Sequence, residues 1–294
     1  MSILAVDVGG TFIKWASADE YTFLKSGKAE TPRTCFEDFI NKIEELVNEY
    51  HPEGIAFSLP GTMDPETGFI SQGGALQYNN GKNLIEECRT RFHLPASIEN
   101  DARCAALSEA ETGALRDTDF GIVLVIGTGI GGAFVHNGQI LRGSHGYAGE
   151  MSLFLAGSLK KEGTGAFFSS RCAMADFTKT FRKQLGCETM TGEEFMKLVR
   201  ENDSAAVRLF DEYTDEFANA LFSIQMMYDP ARIVIGGGIS EDAFYIQSIR
   251  DKFEAMFAIF PFPISRAQIC ACSNANNANL TGALANYYRR HQIV

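Results

Sequence analysis

The sequence has no block of Lys or Arg, and its 26 basic residues are outnumbered by 37 acidic ones, giving a net charge of −11. This excludes sequence-independent binding of nucleic acid, which needs a cationic face to replace phosphate counterions. A nucleotide ligand is still allowed, because backbone N–H groups and a divalent ion can hold phosphates. No secretory leader is expected, since a strand-like run begins at Ile3. The seven cysteines (Cys35, Cys88, Cys104, Cys172, Cys187, Cys270 and Cys272) are odd in number and scattered. They form no disulfide framework and read as reduced thiols of a cytoplasmic protein. The 28 glycines follow no collagen-like period, and 45% hydrophobic with 21% charged residues is a globular composition, so fibre and disorder are excluded. One stretch, 120–141, lacks charge and is long enough to span a bilayer. Its glycines and the Asn137-Gly138 turn signal predict a buried hairpin instead, and no membrane partner.

What is present is a grammar stated twice. Strands over 3–8 and 12–16 flank Gly9-Gly10, and a third is predicted around 21–24. Phe36, Phe39, Ile40, Ile43, Leu46, Val47 and Tyr50 then keep the i, i+3, i+4, i+7 spacing of a helix. A strand over 54–58 runs into Pro60-Gly61, and a tight turn follows at 64–68. A short helix over 84–92, a strand over 96–98 ending in Glu99-Asn100-Asp101, and an Ala-rich helix from 102 to about 113 complete the half. The second half restarts with strands over 122–126 and 133–135 around a glycine turn, then 139–141. A capping box opens at Thr191, and a long helix covers 204–228. A strand over 232–235 ends in Gly236-Gly237-Gly238, and a helix over 279–290 closes the chain. Two such halves predict a duplicated α/β architecture packed around a cleft. The expected domains are 1–113, joined by the closing helix near 279–294, and 114–278.

The glycine turns carry the first chemical signal. Gly127-Thr128-Gly129-Ile130-Gly131-Gly132 fits G-x-G-x-x-G after a strand, but a dinucleotide site needs a helix at the third glycine. A strand follows here, leaving a hairpin whose N–H groups can face phosphate. Asp7-Val8-Gly9-Gly10-Thr11 adds a carboxylate and a hydroxyl suited to Mg²⁺ and phosphate oxygens. Either turn alone reads as a plain hairpin; at equivalent points of a duplicated fold they read as two clamps on one nucleotide. Gly236 to Gly238 is a simple helix entry or the border of the nucleoside end. Asp101, beside Asn100 where a strand meets a helix, is kept ionised by the helix dipole. It can take the proton of an acceptor hydroxyl in phosphoryl transfer, or the two residues can form an N-cap. Glu150, in a glycine-rich loop, either accepts hydrogen bonds from sugar hydroxyls or faces solvent.

Taken together, Asp7-Val8-Gly9-Gly10-Thr11, Glu99-Asn100-Asp101-Ala102, Gly127 to Ala133, Ala148-Gly149-Glu150 and Gly236-Gly237-Gly238-Ile239 resemble the ROK family of sugar kinases and repressors, in order and over almost the whole chain. The resemblance implies the actin-like, ribonuclease-H-like double α/β fold and transfer of the γ-phosphate of MgATP to a sugar hydroxyl. It makes Asp101 the catalytic base and Gly74, Asn100, Asp101 and Glu150 sugar ligands. ATP would be held by Asp7, Gly9, Gly10, Thr11, Lys14, Gly127, Thr128, Gly129, Gly131, Gly132 and Gly236 to Gly238, with Asp7 on Mg²⁺. A homodimer is also implied.

Many family members place a His three residues after the Glu150 position and then a zinc-binding cysteine cluster. This chain has Leu153 there, and Cys172 and Cys187 lack the spacing, so no zinc is expected. Cys270 and Cys272 read as packed thiols on alternate faces of a strand. An Asn that usually follows the Gly68 turn is absent, its place falling near Ala75. The stretch from Pro60 to Ile70 is similar to the zinc-less β-glucoside kinases of the family, which suggests the 6-hydroxyl of a hexose, or of the glucose unit of a β-glucoside, as acceptor. Glucokinase, fructokinase and amino-sugar kinase are alternatives within the family, and a non-catalytic sugar sensor is one of another class. Family repressors carry a helix-turn-helix ahead of the first glycine motif, and none is expected here, with only Met1 and Ser2 before the first strand.

Overall fold

The structure, a computed structural model, describes residues 2–274 and 277–292. Ile3 to Val6 and Val8 are all buried, which a strand achieves only when both faces of its sheet are covered. This strand, β1 (Ser2–Val8), pairs with β2 (Phe12–Asp19), which pairs with β3 (Thr22–Glu30). Next come α1 (Phe36–Tyr50), β4 (Gly54–Leu59), and a small antiparallel sheet of β5 (Thr62–Asp64), β6 (Phe69–Gln72) and β7 (Lys82–Asn83). The half ends with α2 (Leu84–Arg91), β8 (Ala96–Asn100) and α3 (Asp101–Glu111). Its main sheet has the order β3-β2-β1-β4-β8.

The second half opens with β9 (Phe120–Ile126), β10 (Ile130–His136) and β11 (Gln139–Ile140), the uncharged stretch folded as a hairpin. It continues with α4 (Leu159–Glu162), α5 (Phe168–Cys172), α6 (Met174–Leu185), α7 (Gly192–Arg200) and α8 (Ser204–Tyr228). β12 (Arg232–Gly236), α9 (Ala243–Met256), β13 (Gln268–Ala271) and α10 (Ala278–His291) finish it. The sheet order β11-β10-β9-β12-β13 reproduces the first, strand for strand. Ile293 and Val294, at the end of the expected closing segment, lie outside the described residues. Among the described residues no helix is long and apolar enough to cross a membrane.

Three expectations change. β3 runs to Glu30 because its partner β2 defines it; as an edge strand with mostly exposed polar residues it leaves no apolar pattern to read. β10 begins at Ile130, so Gly131 and Gly132 are strand residues and only 127–129 form the turn. Cys270 and Cys272 pack against the same cluster: Cys272 lies just past β13, but its N–H on the Ile235 carbonyl at 2.8 Å continues the extended chain, so the two residues share a face.

Each sheet is covered on one face by helices of its own half. Leu4, Val6, Ile55 and Phe57 meet Phe39, Ile40 and Ile43 of α1, and Ile122, Leu124, Ile233 and Ile235 meet α8 and α9. On the inner faces the helices are exchanged. α10, which follows the second sheet, packs Leu280, Ala283, Leu284 and Tyr287 on Ile3, Ala5, Ala16 and Ala56 of the first. α3, which follows the first, packs Ala106 and Ala110 on Val123, Ala133, Val135 and Val234 of the second. The two helices cross at Gly282, where a Cβ would sit 1.7 Å from the Cys104 carbonyl oxygen. Gly282→Ala should therefore lower stability by about 3 kcal/mol or more, measured by urea unfolding. An unchanged midpoint would show that the crossing has slack.

Candidate active site

The first sheet ends in a polar row. Lys14, Asp7, Ser58 and Glu99 are register neighbours across β2, β1, β4 and β8. Ser58 Oγ donates to Asp7 Oδ1 at 2.8 Å, and Asn279 Nδ2, from the first turn of α10, donates to the same oxygen at 3.0 Å. One residue further along β8, Asn100 caps α3: its Oδ1 accepts the N–H groups of Ala102 at 3.0 Å and Arg103 at 3.2 Å. Its own N–H donates to Glu99 Oε1 at 2.9 Å, and its Nδ2 to the Gly61 carbonyl at 3.1 Å. Asp101 is thus the first residue of α3, and its Oδ1 accepts the Ala102 N–H at 2.8 Å.

Asp101 belongs to two cavities at once. One, of about 400 Å³, brings it together with Asn100, Glu150, Ser152, Gly61, Thr62 and Gln72. The other, of about 360 Å³, joins it to Gly127, Thr128, Gly129 and Asn279. Gly131 and Ala102 line both, and Gly131 is required there because a Cβ would fall 2.6 Å from that of Ala102. Gly132 lines the first cavity, against Met151.

The 127–129 turn is held by three bonds. Gly127 N–H donates to Gly129 O, Met174 N–H to Gly127 O, and Ile130 N–H to Ser169 Oγ. The 9–11 turn is closed by Gly9 N–H on Phe12 O, and Thr31 Oγ1 donates to Gly9 O at 2.7 Å. Gly10 and Thr11 line a separate hollow with Arg33, whose Nη2 donates to Thr11 Oγ1 at 3.3 Å, so the two turns do not share one cavity. Gly236, Gly237 and Gly238 line neither cavity beside Asp101, but Gly237 abuts Ile126, the residue before the second turn. Gly74 lies against Pro60 and Gly61, and it is not among the residues that line the first cavity.

A model of the ROK family matches residues 3–289. The chain belongs to the ROK family. It is 31% identical to a β-glucoside kinase from Listeria monocytogenes, over 99% of this chain and 100% of that one. A β-glucoside kinase from Klebsiella pneumoniae is 29% identical over 98% of this chain and 96% of its own length. A solved ROK family protein from Streptococcus pneumoniae TIGR4, in complex with sucrose, superposes with a TM-score of 0.92 at 29% identity, each chain fully covered.

Sequence reasoning about this ROK chain missed Ser58, Asn279, Arg142 and Arg103. Arg142 pairs with Glu99, a fully buried carboxylate, through both guanidinium ends, one of them at 3.3 Å. Arg103 donates to the Gly146 carbonyl. These two arginines dock the loop carrying Glu150 onto the start of α3. No local pattern announces such pairings, although Glu99 in an otherwise buried strand needs a partner and so hints at one.

Burial pushes Asp7 above the usual carboxylate range, and the bonds from Ser58 and Asn279, with the Lys14 charge, hold it back. Asp101 is pushed up to about 6, first by burial and then by the charges of Asp7 and Glu150, against the Ala102 N–H and Asn100 bonds. In the unfolded chain Asp101 titrates at about 4. The folded state therefore binds more protons in between, and stability falls as pH rises from about 4 to 6. Asp101→Asn removes that penalty. The variant should match wild type at pH 4 and exceed it by about 3 kcal/mol at pH 8 in denaturant unfolding; equal stability at pH 8 would contradict the shift.

Proposed function

We propose that this ROK protein is an ATP-dependent sugar kinase in which Asp101 is the general base. The observation that carries the reading is the place of Asp101 on both cavities. On one side lie hydrogen-bonding groups suited to sugar hydroxyls, and on the other a glycine turn suited to phosphate. Asn100 and Glu150 hold the sugar so that one hydroxyl faces Asp101. The carboxylate takes that proton while the oxygen bonds to the γ-phosphorus, and the bond to the β–γ bridging oxygen breaks to release ADP. The 127–129 turn, which lines the same cavity as Asp101, places the phosphates.

Asp7 and the Thr11 hydroxyl are hard oxygen donors of the kind Mg²⁺ prefers, and both hydrogen bonds to Asp7 fall on Oδ1. Bound there, Mg²⁺ would offset the phosphate charge. The acceptor is read as the 6-hydroxyl of a hexose, extending to the glucose unit of a β-glucoside. The names of the Listeria and Klebsiella relatives support this, and the sucrose in the pneumococcal neighbour, an α-linked disaccharide, supports room for a second sugar ring.

Purified protein should release ADP when given ATP, Mg²⁺ and a hexose or glucoside. Asp101→Asn should lower kcat by about 10²- to 10⁴-fold while sugar binding, measured by calorimetry, persists. An unchanged rate would refute the assignment. Because only the ionised carboxylate accepts a proton, wild-type kcat/KM should fall tenfold per pH unit below about 6. A flat profile down to pH 4.5 would place the base elsewhere.

A further inference from the structure

We propose that Tyr147 and Leu153 form an apolar platform for the aglycone of a glycoside acceptor, so that this enzyme prefers a hexose carrying a second ring to the free hexose. The inference rests on the kinase reading above and adds to it the residues that choose the acceptor.

Both side chains line the cavity that contains Asn100, Asp101 and Glu150. Tyr147 is 59% exposed and Leu153 54%, whereas the rest of that wall is polar or glycine apart from Ala102. Neither is there for the core. Their neighbours Ala148, Met151 and Phe154 pack into the large cluster of the second half, and Tyr147 and Leu153 do not.

The platform is built rather than loose. Glu150 N–H donates to the Tyr147 carbonyl at 3.1 Å, and Leu153 N–H to the Glu150 carbonyl at 3.3 Å. Two successive turns therefore bring Tyr147, Glu150 and Leu153, three residues apart, to one side of the segment. Arg103 fixes the preceding Gly146, and Ala148 N–H donates to the Arg142 carbonyl at 3.1 Å. A carboxylate for ring hydroxyls is thus flanked by a phenol ring and a leucyl group at the open side.

With the reacting hydroxyl at Asp101 in the depth of the cavity, a substituent on the anomeric carbon leaves toward this open side. An aryl ring, or the C–H face of a second sugar, would cover apolar surface there that a free hexose leaves wet. Pockets of this kind combine apolar walls with a few orienting polar groups.

The test compares kcat/KM for cellobiose and phenyl β-glucoside with that for glucose. Wild type should favour the glucosides. In Tyr147→Ala and Leu153→Ala the glucoside-to-glucose ratio should fall about tenfold each, through KM, and Tyr147→Phe should restore it. A ratio that does not move in either Ala variant, or a wild type that favours glucose, would overturn the platform. If wild type turned over no sugar at all, the kinase reading would fall instead. Calorimetric affinities of the same three sugars for wild type and variants would then decide the platform on their own.

Discussion

The closeness of two helices at Gly282 is the constraint on which the site depends. α3 and α10 are exchanged between the sheets, each leaving one half and packing on the other. They can lie side by side only because Gly282 presents no side chain to the Cys104 carbonyl. That approach brings both helix starts to the same cleft, Asp101 on one and Asn279 on the other, and lets Asn279 reach Asp7 from the far end of the sequence. Glu109, fully buried near the end of α3, ties both connections between the halves. It accepts the N–H groups of Ala114 at 2.7 Å, Ser273 at 2.9 Å and Asn274 at 3.0 Å. The crossing and this carboxylate together fix how the halves face each other.

The duplication is geometric and not chemical. The same strand order and equivalent turns recur, yet the row Lys14, Asp7, Ser58 and Glu99 of the first sheet has Gly131, Val125 and Gly236 as its counterpart in the second. One half supplies charge and hydrogen bonds; the other supplies small residues that let a ligand come near the backbone. A site lying between unlike halves can hold two different ligands end to end, as a transfer reaction between them requires.

Much of this was legible in the residues. The apolar runs gave β1, β4 and β12 within a residue, but stopped three short of the end of β2 and began three late in β10; periodicity gave α1 and α8 closely, because buried faces impose their spacing on any sequence that covers them. The duplicated turns, Asn100-Asp101 and Glu150 could be marked because their chemistry is local. β3 could not be bounded, since an edge strand is specified by its partner, and Gly131 and Gly132 were read as turn because glycine carries no face to bury. Asn279, Ser58 and Arg142 act through contacts with residues far off in the chain, which no window of sequence contains.

The same long-range contacts set the reactivity of Asp101. A carboxylate at the first position of a helix, accepting a backbone N–H, would ordinarily sit low. Burial in the cleft, and then the nearby charges of Asp7 and Glu150, raise it to about 6. Higher, it would be protonated at neutral pH and unable to accept; lower, it would be a poor base for a hydroxyl. Glu99, two residues away at the end of β8, is paired with Arg142, and that pairing is what permits a second buried carboxylate beside Asp101 without adding its charge to the cleft. The proposed base is therefore tuned by Asp7 and Glu150 in the same cleft, while Arg142 keeps the charge of Glu99 out of it.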